Sequence, residues 1–268
     1  MIDSITPAPV ETAKCGHSVY FNGSDDSAKI VGGVEAKPNQ YPWLVRLQLA
    51  SYLCGGSIIS SRFILTAAHC TNGRSASQIT IYFADHSVSG SDPEEFSRGV
   101  TRIIQHPQFN SFTFDYDFAL LEIAGDAIDF TKSLRIQKIC LPTNCDDEGC
   151  ATNSMASIAG WGNLGEDLSG GSVVLQNAQV EIQDQSTCRS QYGSSSITDR
   201  MLCAGYVDGG IDTCQGDSGG PLMTNEDGAY RLCGVVSWGY GCARPNQFGV
   251  YAKVCQITSW LQVNNALD

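Results

Sequence analysis

An excess of basic charge, a long hydrophobic run and a closely paired cysteine motif are all missing from this chain, and each absence removes a class of protein. Its 268 residues carry 16 Lys and Arg against 28 Asp and Glu, a formal net charge of −12. The basic footprint that neutralises nucleic-acid phosphates is therefore lacking. No apolar stretch approaches the ~20 residues that a membrane-crossing helix needs. No two cysteines stand at C-x-x-C spacing, which leaves a zinc or redox site without support. Charged residues are scarce at 16% and apolar ones reach 42%, so the chain can bury a core and is not disordered throughout. The N-terminal stretch MIDSITPAPVETAK has neither a basic flank nor an apolar core and is not a signal peptide. The expectation is that a secretory leader has been removed and that Met1 was added.

The residues present point to an oxidising compartment. Twelve cysteines, an even count, read as a disulfide framework of an extracellular, secreted protein. Asn22-Gly23-Ser24 is a glycosylation sequon consistent with that setting. The acidic balance favours cationic substrates, although only within a Debye length of about 8 Å in physiological salt.

Residues 1–29 hold Pro, Ser and Asp without hydrophobic period and read as a poorly ordered arm. From Ile30 onward, short β-branched and aromatic runs such as WLVRLQL, RFILTAA, QITIYF and LCGVVSWG recur between Gly-rich turns. This texture predicts an all-β sandwich or barrel. Only ITSWLQVNNAL, with Ile257, Trp260, Leu261 and Asn264 at helical spacing, predicts a helix.

The stretch GDSGGP, Gly216 to Pro221, is either a plain turn or a place where the backbone passes close to a partner with Ser218 aimed at it. A serine hydroxyl becomes a useful nucleophile only when a base takes its proton. Of the four histidines, His17 lies in the arm, and His86 and His106 stand in polar loop sequence and read as surface residues. His69 follows the apolar RFILTAA and precedes Cys70, which anchors it at the edge of a core. A base histidine needs an acid to hold its tautomer. Asp117 heads the apolar run of DFALLEI, where an unpaired carboxylate would be costly. Its rival Asp115 lacks that following run and is expected to be exposed.

TAAHC around His69, DFALL from Asp117 and GDSGGP around Ser218 resemble the three signature segments of the trypsin-like serine proteases. IVGG at 30–33, CGGSI at 54–58, GWG at 160–162 and SWG at 237–239 follow the same family in the same order. The resemblance runs from Ile30 to the C-terminus. It implies two antiparallel six-stranded β-barrels with a short C-terminal helix and an active site in the cleft between them. Barrel one would span about 30–137, barrel two about 138–255 and the helix about 256–266, behind an activation segment at 1–29. In that scheme Ser218 attacks the scissile carbonyl, His69 shuttles the proton and Asp117 orients His69, while the N–H groups of Gly216 and Ser218 hold the oxyanion. Cleavage between Lys29 and Ile30 would convert a zymogen to active enzyme by freeing an ammonium to pair with Asp217. The activator would be another protease or the enzyme itself.

By the same resemblance Asp212 forms the floor of the specificity pocket, Gly239 and Gly249 leave it open, and cleavage after Arg or Lys follows. Thr213 stands at a pocket position where serine is frequent, and its methyl group narrows the slot. Phe248 stands where digestive trypsins carry proline and sodium-activated relatives carry an aromatic residue. Ser237, Trp238 and Gly239 would offer backbone to the substrate as an added strand. Phe114 and Tyr192 would either shape neighbouring subsites or serve only in packing.

The family pattern implies the disulfides Cys15–Cys140, Cys54–Cys70, Cys188–Cys203, Cys214–Cys242 and Cys145–Cys255, with Cys150–Cys233 as a bridge unusual in the family. Asp85, Asp92 and Glu95 fall in a segment that aligns with the calcium loop of trypsins, the alternative being a solvated acidic loop. No cofactor is required by the reaction that the family implies. The expected partners are protein substrates, an activating protease and protein inhibitors, with neither nucleic acid nor membrane, and the expected state is a monomer. A protease of other primary specificity, or a catalytically silent homologue used as a scaffold, is the alternative. Silent homologues generally lose a triad residue, and here His69, Asp117 and Ser218 are all present.

Overall fold

The computed structural model describes residues 15–20 and 31–268; Lys29, Ile30 and the Asn22 sequon lie outside them. After a short strand β1 (Val34–Glu35) come β2 (Leu44–Leu49), β3 (Tyr52–Ile58), β4 (Phe63–Thr66), β5 (Ile79–Phe83), β6 (Phe96–Gln105) and β7 (Ala119–Ile123). The last six close into an antiparallel barrel in the order β2-β3-β4-β7-β6-β5. Strict alternation explains β5, where Ile79, Ile81 and Phe83 point inward and Thr80 and Tyr82 are half-buried. A one-turn helix, α1 (Ala68–Thr71), interrupts the path from β4 to β5.

The second barrel uses β8 (Met155–Gly160), β9 (Gln176–Glu181), β10 (Met201–Ala204), β11 (Pro221–Glu226), β12 (Ala229–Trp238) and β13 (Gly249–Lys253), with α2 (Gln185–Tyr192) before β10. Its sheet runs β1-β9-β8-β11-β12-β13-β10. Closure is narrow. One bridge, Ile182 to Ala204, joins the two ends, with Gln183 N–H donating to Cys203 O at 2.9 Å and Gly205 N–H to Glu181 O at 3.0 Å. The main hydrophobic cluster contains Leu47, Ile64 and Leu121 of the first barrel together with Met223, Leu232 and Val235 of the second. The barrels thus share apolar packing where they meet.

Two boundaries differ from the sequence expectation. Val34 and Glu35, expected within the first barrel's span, pair with Asn177 and Gln176 at the edge of the second. The terminal helix α3 is confined to Thr258–Val263 and follows a 3₁₀ turn at Val254–Ile257, shorter than 256–266. Asn265 ends it by taking the left-handed conformation (φ 51°), and the Asn265 and Ala266 amides cap Gln262 and Leu261 carbonyls at 3.0 Å. Trp260 of α3 packs against His106 beside the first barrel, with ring centroids 5.0 Å apart.

The six disulfides join Cys15–Cys140, Cys54–Cys70, Cys145–Cys255, Cys150–Cys233, Cys188–Cys203 and Cys214–Cys242. They include the unusual Cys150–Cys233 bridge, which fastens β12 to the short 3₁₀ turn Glu148–Cys150. Among the described residues no helix is long and apolar enough to cross a membrane.

Candidate active site

Asp117 enters the protein interior because the run that follows it forms β7, buried at Ala119, Leu120, Leu121 and Ile123. The carboxylate has no solvent exposure, which is tolerable only with donors around it. Oδ1 accepts the His69 backbone N–H at 2.8 Å, while Oδ2 accepts the Ser237 hydroxyl at 2.6 Å and lies 2.7 Å from His69 Nδ1. Because that oxygen can only accept, Nδ1 carries the ring proton and Nε2 is left as a base.

His69 sits on α1, held from two sides. The Cys54–Cys70 disulfide ties the helix to β3. The Gln105 side chain donates to Ala68 O at 3.2 Å and to Thr71 Oγ1 at 2.9 Å.

Ser218 comes from the second barrel to the same place. Its carbonyl accepts the Gly55 N–H at 2.8 Å and lies 3.6 Å from Cys70 Sγ, next in sequence to His69. The hydroxyl makes no hydrogen bond to any described residue, His69 included. A loose nucleophile–base contact is common before substrate tightens it. The glycine after Ser218 follows from this approach, since Gly219 has φ 80° and a Cβ there would lie 2.2 Å from Thr66 Oγ1. The Asp217, Gly219 and Gly220 amides donate to Cys214, Val236 and Asp217 carbonyls at 2.9–3.0 Å. Among the described residues, those of Gly216 and Ser218 donate to none. Two unspent N–H groups thus bracket the loop.

Asp217 is enclosed. Oδ1 accepts the Gly162 N–H at 2.7 Å and Oδ2 the Cys214 N–H at 2.9 Å. The fit is close enough that a Cβ on Gly162 would come 2.5 Å from the carboxylate. Burial pushes this acid up to about 6, against the lowering effect of its two amide donors. Val31 forms an antiparallel bridge with Asp212, so the chain that follows Ile30 runs beside this loop.

Asp212 is buried as well. It accepts the Thr213 N–H at 2.8 Å and the Ala243 N–H at 3.1 Å, and burial pushes it up to about 7. Gly249 lies so near that a Cβ would sit 2.6 Å from Asp212 Oδ1, whereas a Cβ on Gly239 would meet nothing nearer than the Gly241 carbonyl oxygen, at 3.7 Å. The buried Tyr251 hydroxyl, also close to Gly249, has no partner among the described residues. Phe248 is buried, and its carbonyl accepts the Tyr192 hydroxyl. Tyr192, Trp238 and Tyr240 form an aromatic group with centroids 5.1–5.7 Å apart. Within the first barrel the Phe114 and His69 rings meet in an edge arrangement, centroids 5.5 Å apart.

Asp85, Asp92 and Glu95 converge, each offering an oxygen within 4.8 Å of the others. One Asp85 oxygen accepts the Arg46 side-chain N–H, and the other is buried without a hydrogen-bond partner among the described residues. Burial raises the Asp85 carboxyl above its ordinary range, with Arg46 opposing.

Three residues read as surface groups are not. His86 is buried, its Nε2 3.0 Å from Glu35 Oε1 and its carbonyl accepting Trp161 Nε1–H at 3.0 Å. His106 is buried with its ring flat on Tyr116 at 4.4 Å. Asp115 is largely shielded and grips Arg200 with both oxygens. Other roles lay beyond sequence reading. The Ser237 hydroxyl on Asp117, Ala243 on Asp212 and Arg46 on Asp85 bridge residues 31 to 120 positions apart, and no local pattern marks such pairs.

The family profile described as Trypsin matches residues 30–261. The chain is 38% identical to Trypsin of Sus scrofa over 89% of this chain and 96% of that protein. It is 36% identical to Cationic trypsin-3 of Rattus norvegicus over 92% and 94%. It is also 42% identical to Transmembrane protease serine 9 of Rattus norvegicus over 90% of this chain, but spans only 23% of that longer protein.

Proposed function

The chain belongs to the trypsin family of serine endopeptidases, and from that premise we propose that it cleaves peptide bonds after Arg or Lys once Lys29–Ile30 has been cut. The observation that carries this reading is Asp212, a buried carboxylate with two backbone donors and no cation among the described residues, which in this proposal forms the floor of the specificity pocket. Burial makes its charged form costly, and an Arg or Lys side chain arriving through the space left by Gly239 and Gly249 supplies the counter-charge.

The chemistry is acyl transfer. Ser218 Oγ attacks the scissile carbonyl as His69 Nε2 takes its proton, and the Gly216 and Ser218 amides receive the oxyanion, each such donor contributing about 3 kcal/mol. The protonated His69 then hands its proton to the leaving amine, while Asp117 steadies the imidazolium. Water repeats the cycle on the acyl-enzyme, returning Ser218 to its hydroxyl. Ser237 to Gly239 pair with the substrate backbone.

Asp217 supports the zymogen reading. Two neutral amides do not offset the burial of this acid, and a new Ile30 ammonium is the cation that would. Six disulfides, with no free cysteine among the described residues, support secretion into an oxidising space.

The decisive assay compares acyl-Arg, acyl-Lys, acyl-Phe and acyl-Ala amides before and after controlled cleavage at Lys29, with Ser218→Ala as the blank. Turnover confined to Arg and Lys substrates of cut protein is expected. Equal rates on Phe substrates would reject the specificity, and full activity in uncut Lys29→Gln protein would reject the zymogen.

The acidic loop fits calcium. An oxygen-only set with one buried, orphaned Asp85 oxygen suits a hard cation, held by Asp85, Asp92 and Glu95. Its contribution is structural. Calcium at 100 times its Kd should stabilise the fold by about 2.7 kcal/mol, read as a higher Tm in calcium than in chelator. An identical Tm in both would leave the loop as a solvated acidic turn.

A further inference from the structure

The loop 106–117 carries two aromatic residues in the left-handed backbone region, Phe114 (φ 57°) and Tyr116 (φ 52°), one on each side of Asp115. Bulky side chains avoid this region, so such conformations persist only where the surroundings hold them. Within the loop, Asn110 N–H donates to Asp115 O at 3.0 Å and Phe114 N–H to Asn110 O at 2.8 Å. These bonds curl the loop but do not attach it to anything.

Asp115 makes the attachment. Arg200 Nε donates to Oδ1 at 3.1 Å and its Nη2 to Oδ2 at 2.6 Å, while the Thr198 hydroxyl donates to Oδ1 at 2.7 Å. The Arg200 guanidinium also lies over the Tyr116 ring at 5.2 Å. Both partners belong to the segment entering β10 of the second barrel, where the Arg200 carbonyl accepts the Lys253 N–H at 2.8 Å. The pair is only partly exposed, 28% for Arg200 and 18% for Asp115, and its forked geometry fixes direction as well as distance. The same loop leads into Asp117 and sets the Phe114 ring against His69.

We propose that Asp115, Arg200 and Thr198 form a clamp between the barrels that holds Phe114 at the rim of the cleft, making Asp115 and Arg200 positioning residues for the substrate residue immediately before the cleaved Arg or Lys. The reasoning is geometric. Ser237 bonds the Asp117 that holds His69, and Phe114 packs on the His69 ring, so a substrate strand laid along Ser237–Gly239 with its carbonyl at Ser218 lies alongside the Phe114 ring. The clamp rests on the endopeptidase reading above, and its test separates the two.

Cut wild-type protein, Asp115→Asn, Arg200→Gln, Arg200→Lys and the exchange Asp115→Arg with Arg200→Asp are compared on X-Arg amides, X being Gly, Ala, Leu or Phe, and on an acyl-Arg amide lacking X. Asp115→Asn and Arg200→Gln should lower the Leu/Gly ratio of kcat/KM about fivefold through KM. The acyl-Arg amide should hold its kcat, Arg200→Lys should fall between, and the exchange should recover part of the ratio. The second readout needs no turnover: the NMR shift of the His69 ring protons, set by the Phe114 ring current, should move in both single variants. An unchanged ratio with an unmoved His69 signal overturns the clamp, as does a uniform loss on all substrates with that signal unmoved. If wild-type protein cleaves no Arg substrate, the Arg and Lys specificity fails, and the His69 signal alone decides the clamp.

Discussion

Asp117→Asn is expected to lower kcat on an Arg amide about 10⁴-fold with little change in fold, the general magnitude for serine-protease triads that lose their orienting acid. The reason lies in the hydrogen bonds around the carboxylate. Both oxygens accept: Oδ1 from the His69 backbone, Oδ2 from Ser237 and from His69 Nδ1. An asparagine keeps one acceptor. If its oxygen takes the Oδ1 place, its NH₂ faces Nδ1 and forces the ring proton onto Nε2, which can then no longer take the proton of Ser218. If its oxygen takes the other place, the NH₂ confronts the His69 backbone N–H. The second arrangement sets two donors against each other and costs the His69 backbone its acceptor, so the first is expected, and it disables the base while leaving the side chain its volume. Steady-state kinetics beside a thermal melt test this, and a kcat within tenfold of wild type at unchanged Tm would remove Asp117 from the mechanism.

Asp212→Ser should reduce kcat/KM for Arg and Lys substrates about 10⁴-fold, the scale expected when a buried group built for one partner loses it. Phe substrates should be spared or improved, since the pocket then no longer holds a carboxylate that needs a counter-charge. The same residue predicts a pH signature. With the pocket empty, burial raises Asp212 to about 7, so below that pH the floor is protonated and neutral. A cationic side chain must displace that proton. KM for Arg amides should therefore rise as pH falls through about 7, approaching tenfold per unit, while KM for an uncharged substrate stays flat. A flat Arg profile, or an unaltered Arg preference in Asp212→Ser, would show that another group sets specificity.

The legible part of this protein was local. Short β-branched and aromatic runs between Gly-rich turns announced strands, and short motifs around His69, Asp117 and Ser218 announced chemistry. The partners of those motifs were not legible, because they are fixed by packing between distant segments. Asp115 and Asp117 differ in sequence only by the apolar run after Asp117; that run buries one, while Arg200, 85 residues later, captures the other. His86 and His106 read as surface groups because their neighbours are polar, yet Glu35 and Tyr116 supply the cover that no window reveals. The terminal helix was overextended because hydrophobic period alone does not register that Asn265 can turn left-handed and stop it.

The ends of the domain are crossed. β1, from its beginning, borders the second barrel, and α3, from its end, rests beside the first. A division near residue 138 would leave each half without a piece held by the other, although every sheet hydrogen bond of the first barrel lies within one half. Like two parcels tied with each other's string, the barrels are separate as sheets yet inseparable as fragments, and a rearranged chain order would have to carry both strings along.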